Sequence, residues 1–180
     1  MSGFIPELTT RVIVDVKTEE LDNAISLIKS DPILGDIPSL VDDLETTKND
    51  INGLQEPLVD AVAEGLQSNQ EMIISSKHWI DGIMANSVDI SMDGRDRLVG
   101  NTATSIDGFP YPLAIETGSK AHYIAPVTFD ALHWVEDGED RFSKGHWVSG
   151  IAADPFVEPS ITNTLWDIDE IVKDVLEDLD

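Results

Sequence analysis

Val88-Asp89-Ile90-Ser91-Met92-Asp93-Gly94-Arg95-Asp96-Arg97-Leu98-Val99-Gly100 is the stretch on which the fold turns. Val88 to Met92 alternates apolar with polar, Asp93-Gly94 is a strong hairpin turn, and Arg97 to Gly100 returns as the partner strand. A second hairpin is expected downstream. Leu132-His133-Trp134-Val135 leads into Glu136-Asp137-Gly138-Glu139, and Arg141-Phe142 and His146-Trp147-Val148 come back. Between the hairpins, Tyr111 to Glu116 reads as a short helix ended by Gly118.

Upstream the period changes. Arg11-Val12-Ile13-Val14-Asp15-Val16 is β-branched and predicts a short strand. Thr18 then caps a helix with Leu21, Ile25 and Ile28 on one face, ended by Asp31-Pro32. Pro38 suits the first turn of a second helix. Its stripe of Leu40, Val41, Leu44, Ile51 and Leu54 breaks near Gly53. Pro57 restarts a helix whose apolar positions, Leu58, Val62, Leu66, Ile73 and Ile80, carry it to about Trp79; Gly65 weakens it. At the far end Ile168, Ile171, Val172, Val175, Leu176 and Leu179 form one stripe of an amphipathic helix. The pattern is α+β: N-terminal helices, a central antiparallel sheet of hairpins, and a C-terminal amphipathic helix. It divides into an N-terminal strand and helix extension, 1–55, packed on a main domain, 56–180.

The 180 residues hold 35 acids against 11 bases, a formal net charge of −24. Such a chain has no global electrostatic grip on DNA or anionic lipid, both polyanions. The acids are spread through every segment, with no acidic tail. That distribution reads as a halophilic surface, because at molar salt the Debye length falls to about 3 Å and like charges are screened. The alternative is an acidic mesophilic protein. Without cysteine there are no disulfides, thiolate metal sites or cysteine nucleophiles. No segment approaches the roughly 18 apolar residues of a membrane helix. Met1 to Glu7 lacks the basic and apolar regions of a secretory leader.

Chemistry is hard to find. The histidines are His78, His122, His133 and His146, and none forms a His-x-x-x-His pair. His133 and His146 are expected to face each other across the second hairpin, where cross-strand neighbours lie about 4.5–5.5 Å apart. Two ligands do not make a metal site, so no metal or other cofactor is assigned. Carboxylates are too numerous for a catalytic pair to stand out. Nucleophile-elbow, phosphate-loop and dinucleotide fingerprints are absent, and Asp93-Gly94-Arg95-Asp96 is a turn and not a calcium loop. Ser119 and His122 with an acid have nothing to fix a triad's geometry. Tyr111, Tyr123, Phe129, Trp134, Phe142, Trp147 and Phe156 crowd the last 70 residues. Most are expected in the core, with one or two at a protein contact.

Three stretches together resemble the tail-completion, or head–tail joining neck, family of tailed bacteriophages and archaeal tailed viruses. Ile80-Asp81-Gly82-Ile83-Met84-Ala85-Asn86-Ser87-Val88 is similar to that family's Asp-(Thr)-Gly turn, which follows a long helix, and to the Asn/Asp-Ser-Ile run leading into its first hairpin. Tyr111-Pro112-Leu113-Ala114-Ile115-Glu116-Thr117-Gly118-Ser119 is similar to Tyr-Ala-x-x-Val-Glu-x-Gly-Thr. Ala153-Asp154-Pro155-Phe156-Val157-Glu158-Pro159-Ser160-Ile161 is similar to Pro-Phe-x-Arg-Pro-Ala-Leu before a terminal helix. The resemblance covers roughly 57–180. The family's Thr beside the first Gly is missing, Glu158 stands where it has Arg, and the surface is acidic where the family's is mixed or basic.

The resemblance implies a non-enzymatic structural subunit of the virion, assembled in the host cytoplasm. It implies a homo-oligomeric ring, six-fold by preference, between the portal or connector side and the tail tube, with other neck proteins as partners. DNA would pass through the lumen without specific binding, and no membrane is involved. Whether the subunit is a tail-completion protein, a terminator or a stopper stays open. Candidate interface residues are Tyr111, Glu116, Gly118, Trp134, Trp147, Phe156, Ile171 and Leu176. The alternatives are a small halophilic cytoplasmic metal-dependent hydrolase using His133 and His146, and a regulatory module that docks by its acidic C-terminal helix.

Overall fold

Strand β1 (Thr9–Val12) is followed by three helices: α1 (Glu19–Ser30), α2 (Pro38–Gly53) and α3 (Gln55–Ser76). The computed structural model describes residues 8–31, 38–77, 82–105 and 108–178. α1 opens with Glu19, Glu20 and Asp22 in its first turn, where acids complement the helix dipole. Thr18 stands at its N-cap, but its hydroxyl makes no capping bond. Pro38 begins α2, and the break near Gly53 is one residue, Leu54, before α3. α3 therefore starts two residues ahead of Pro57 and ends at Ser76. Trp79, the expected end, lies outside the described residues.

α3 is the axis of the molecule. Val59, Ala63, Leu66 and Ile74 recur on one helical face and are buried. Against them lies a three-stranded antiparallel sheet in the order β1-β3-β2, with β2 at Val88–Asp93 and β3 at Asp96–Asn101. The expected hairpin is there, in the register Val88↔Asn101 to Asp93↔Asp96, with Gly94-Arg95 as its two-residue loop. A 3-10 turn, Ala85–Ser87, leads into β2, and Asn101 ties it down by donating from Nδ2 to the Met84 carbonyl at 2.6 Å.

β1, expected within an N-terminal extension, is an edge of the central sheet. It pairs with β3 from Thr9↔Gly100 to Val12↔Arg97, and Leu8 and Val12 enter the same core as Val59 and Val99. The strand also ends at Val12, short of Val16, because β3 runs only one residue past Arg97, to Asp96, before the turn.

Beyond the sheet come α4 (Tyr111–Thr117), β4 (His122–Ile124), β5 (Leu132–Glu136), β6 (Glu139–Ser143) and β7 (His146–Val148). Helices α5 (Val157–Trp166) and α6 (Ile168–Glu177) complete the described chain. α5 and α6 pack on α3. The α6 stripe meets α3 and not the hairpins: no residue of α6 is buried, and its apolar side rests half-covered on α3. Gly65 explains the approach, since a Cβ there would stand 2.9 Å from Ile171 Cδ1. Leu179 lies outside the described residues. Between α3 and α5 runs a polar seam, in which Asn69 donates to Thr164 Oγ1 at 3.1 Å and Thr164 donates to the Ser160 carbonyl at 2.9 Å. Gln70 is fully buried beside Asn69 in the sequence, and its amide has no hydrogen-bond partner.

Candidate protein–protein interface

Two of the stretches that carry the resemblance meet in space. Glu116, near the end of α4, accepts through Oε2 from the backbone N–H of Phe156 at 2.8 Å and of Val157 at 3.2 Å. It thereby supplies, from 40 residues away, the N-terminal cap that α5 lacks locally, Phe156 being unable to cap its own helix. Gly118 follows with φ 74°, and a Cβ there would stand 2.8 Å from Ala153 N and 2.9 Å from Ile151 O. Only glycine accommodates both the left-handed backbone and the contact. The strands of chain that meet here are held by Ser119 N–H to Ile151 O and Asp154 N–H to Ile115 O, both 2.9 Å. Lys77 Nζ reaches Asp154 at 2.5 Å and the Pro155 carbonyl at 2.8 Å, pinning the junction to the end of α3.

Four of the expected interface residues belong to this junction. Phe156 is 1% exposed, in the core. Tyr111 packs half-buried against the same core, Glu116 caps α5, and Gly118 makes the turn. Met84, Ala85 and Val88 of the first stretch join Ile115 and Phe156 in one cluster. The three stretches are therefore parts of one internal scaffold.

The other candidates lie outside it. Ile171 contacts α3 at Gly65, and Leu176 is 47% exposed. Trp134 and Trp147 belong to residues 119–150, an arm in which no residue is buried. The arm is two small antiparallel sheets, β4 with β7 and β5 with β6. Asp137-Gly138 forms the β5–β6 turn, with Asp137 itself at φ 54°. β7 corrects the expected second hairpin: it returns on β4, with His146 opposite Ile124, and His133 stands opposite Phe142. His133 and His146 therefore are not cross-strand partners, which removes the geometry behind the hydrolase alternative. His133 Nε2 instead lies 2.7 Å from Asp140 Oδ1, and its ring stacks on Phe142 at 4.8 Å. Among the described residues no group of three His, Asp or Glu is placed to hold a metal ion.

The aromatics of the arm are also corrected, from core to surface. Phe129 is 81% exposed, Trp147 72% and Phe142 68%, with Val127 at 99%. Strand alternation explains it. Trp134 points to the side where its ring lies near His146, ring centres 5.1 Å apart. His133, Val135 and Phe142 point the other way, where Val135 and Phe142 stay largely exposed. There Val127, Phe129, Leu132, His133 and Phe142 line an open apolar groove of about 650 Å³. Two-stranded hairpins are marginal in water on their own, and contiguous exposed apolar patches mark interaction sites. The arm therefore presents an uncovered apolar surface.

The sequence missed one buried charge. Arg97 of β3, 4% exposed, donates from Nε to Asp60 of α3 at 2.5 Å and from Nη1 to the carbonyls of Arg95 and Asp96. It fixes sheet to helix. On the solvent side of the same sheet Arg11 bridges Asp96 at 2.8 Å and Asp93 at 2.5 Å, and those hydrogen bonds, Asp96 first, raise its pKa above the ordinary value. A lone Arg beside a turn gave no signal of burial in the sequence, because the carboxylate that pays for it, Asp60, lies 37 residues away.

No family model, curated protein or solved structure matches this chain. Among the described residues no helix is long and apolar enough to cross a membrane.

Proposed function

We propose that this chain is a structural subunit of the neck of a tailed virus, assembling as a ring between the head side and the tail tube, in a host that lives in concentrated salt. The observation that carries the reading is the uncovered β-arm. An α+β scaffold closed by Glu116 and Gly118 holds out 32 residues, 119–150, none of them buried. The three stretches similar to the neck family, in family order and gathered in one core, support the kind of assembly. The −24 charge supports both the saline host and a lumen that lets DNA slide past without holding it.

The test is to locate the chain in purified virus particles by electron microscopy with an antibody or tag. Label at the head–tail junction is expected. Particles without the chain, or label on capsid or tail tip, refute the reading.

A further inference from the structure

We infer that α1 and α2 form a helical hairpin that swings as one body on a hinge at Gly53–Leu54; the inference concerns the chain itself and stands apart from the neck reading. The hairpin is coherent within itself. α1 packs chiefly on α2. Lys29 Nζ pairs with Glu45 at 2.6 Å and Lys48 Nζ pairs with Asp22, an antiparallel order of partners. Each helix has one buried residue, Ile25 in α1 and Val41 in α2. Among the described residues, no hydrophobic side chain of either helix belongs to the core around Val59 and Phe156 or packs against it. The other main neighbour of α2 is α3, the helix into which it runs. The hairpin is thus attached at its base and is not built into the scaffold.

That base has the features of a hinge. α2 ends at Gly53 and α3 begins at Gln55, with Leu54 between them. Leu54 keeps helical angles, φ −72° and ψ −17°, and its N–H reaches back to the Ile51 carbonyl at 3.2 Å. Pro57 stands four residues after Gly53 and has no N–H, so the bond that would carry the helical ladder from the Gly53 carbonyl across the joint cannot form. Helix kinks of this kind are found at proline and glycine. Nothing lies within 4 Å of where a Cβ on Gly53 would stand. An open cavity of about 580 Å³ adjoins the joint, lined by Asn52, Gly53 and Glu56 from the joint and by Gly94 and Arg95 from the β2–β3 turn. The joint has room to bend.

The other connection passes the same place. Residues 13–18 run from β1 to α1 without regular structure. Val14 packs on the core, and its carbonyl accepts from Gln55 Nε2 at 2.9 Å. The first residue of α3 therefore holds the chain that enters the hairpin beside the chain that leaves it. Hinges are a few loop or element-end residues that absorb the backbone change, and Asp15 to Thr18 and Gly53-Leu54 are such residues on the two links. The hairpin carries nine acids against two bases over 19–53, so its swing decides where that charge lies.

The experiment puts pairs of spin labels on cysteines in the full chain at molar salt; the chain has no cysteine of its own. Leu27→Cys with Met72→Cys reports the hairpin against the scaffold. Leu27→Cys with Asn49→Cys reports within the hairpin, and Met72→Cys with Met92→Cys within the scaffold. All four residues are exposed, and circular dichroism checks the fold of each variant. Pulsed electron spin resonance is expected to give a distance distribution for the first pair about twice as wide as for the other two, because hinge motion adds to the spread of the labels. Gly53→Ala with Pro57→Ala supplies the missing N–H and is expected to narrow the first distribution to the width of the others. Gly53→Ala alone, where nothing crowds the new methyl, is expected to narrow it in part. A first distribution as narrow as the other two overturns the hinge. A wide one that neither variant narrows overturns its place at Gly53–Leu54, and a wide Leu27–Asn49 distribution overturns the single body.

Discussion

Glu116→Ala removes one carboxylate and orphans two backbone donors. Phe156 N–H and Val157 N–H, now at 2.8 and 3.2 Å from Oε2, open the first turn of α5 and have no side chain of their own helix to accept them. Losing a helix cap costs about 0.5–2 kcal/mol, and losing a negative charge at a helix N-terminus adds about 0.3–1 kcal/mol. We expect a total of about 2–3 kcal/mol, since both donors are lost together and the site is half-buried. For a domain of this size each kcal/mol shifts the midpoint by about 2–4 °C, so the melt should fall by about 4–12 °C. Glu116→Gln keeps an acceptor oxygen in place and gives up only the charge, and should lose about 1 kcal/mol. The assay is thermal unfolding by circular dichroism in molar salt, where surface repulsion is screened and the local effect is isolated. A Glu116→Ala midpoint within about 1 °C of wild type, on the same conversion, would refute the capping role and with it the reason given for that residue in its motif.

Gly118→Ala forces a Cβ against Ala153 N and Ile151 O at φ 74°; a loss of at least about 1–3 kcal/mol is expected in the same melts. Ile171→Asp sets a carboxylate beside Gly65 of α3 and should cost about 1–3 kcal/mol, whereas Leu176→Asp, at a position 47% exposed, should fold within about 0.5 kcal/mol of wild type; equal effects in urea titrations would contradict the packing of α6. Lowering salt from molar to about 0.1 M lengthens the Debye length to about 10 Å, and the −24 charge should then depress the melting temperature. A melt that is flat across that range argues against the halophilic surface.

Legibility followed the range of the interactions. The β2–β3 hairpin, the turn at Asp137-Gly138, the start of α2 at Pro38 and the end of α4 at Gly118 are set by neighbours a few residues apart, and all were visible. β7 was assigned to the wrong partner because its three residues give no register, and β4, three residues long and about 20 away, has no periodicity to announce it. The aromatics of the arm were expected mostly inside because residue type reports affinity for burial, not whether a surface exists to bury against. Glu116 stood out only through its motif, since a cap delivered from another helix leaves no local pattern. Nothing in the local sequence announces Asn69, Ser160 and Thr164, which pair with one another between α3 and α5.

The pairing of β1 with β3 orders events as the chain leaves the ribosome. Arg11 and its partner Asp96 are 85 residues apart. At about 5–20 residues per second the first strand waits several seconds, with α1, α2 and α3 synthesised meanwhile, before any backbone exists to receive it. The strand is thus seated only after α3 and β2 have been made, while α4 to α6 are still to come. Once seated, it occupies the edge of β3 that a neighbouring chain would otherwise find open.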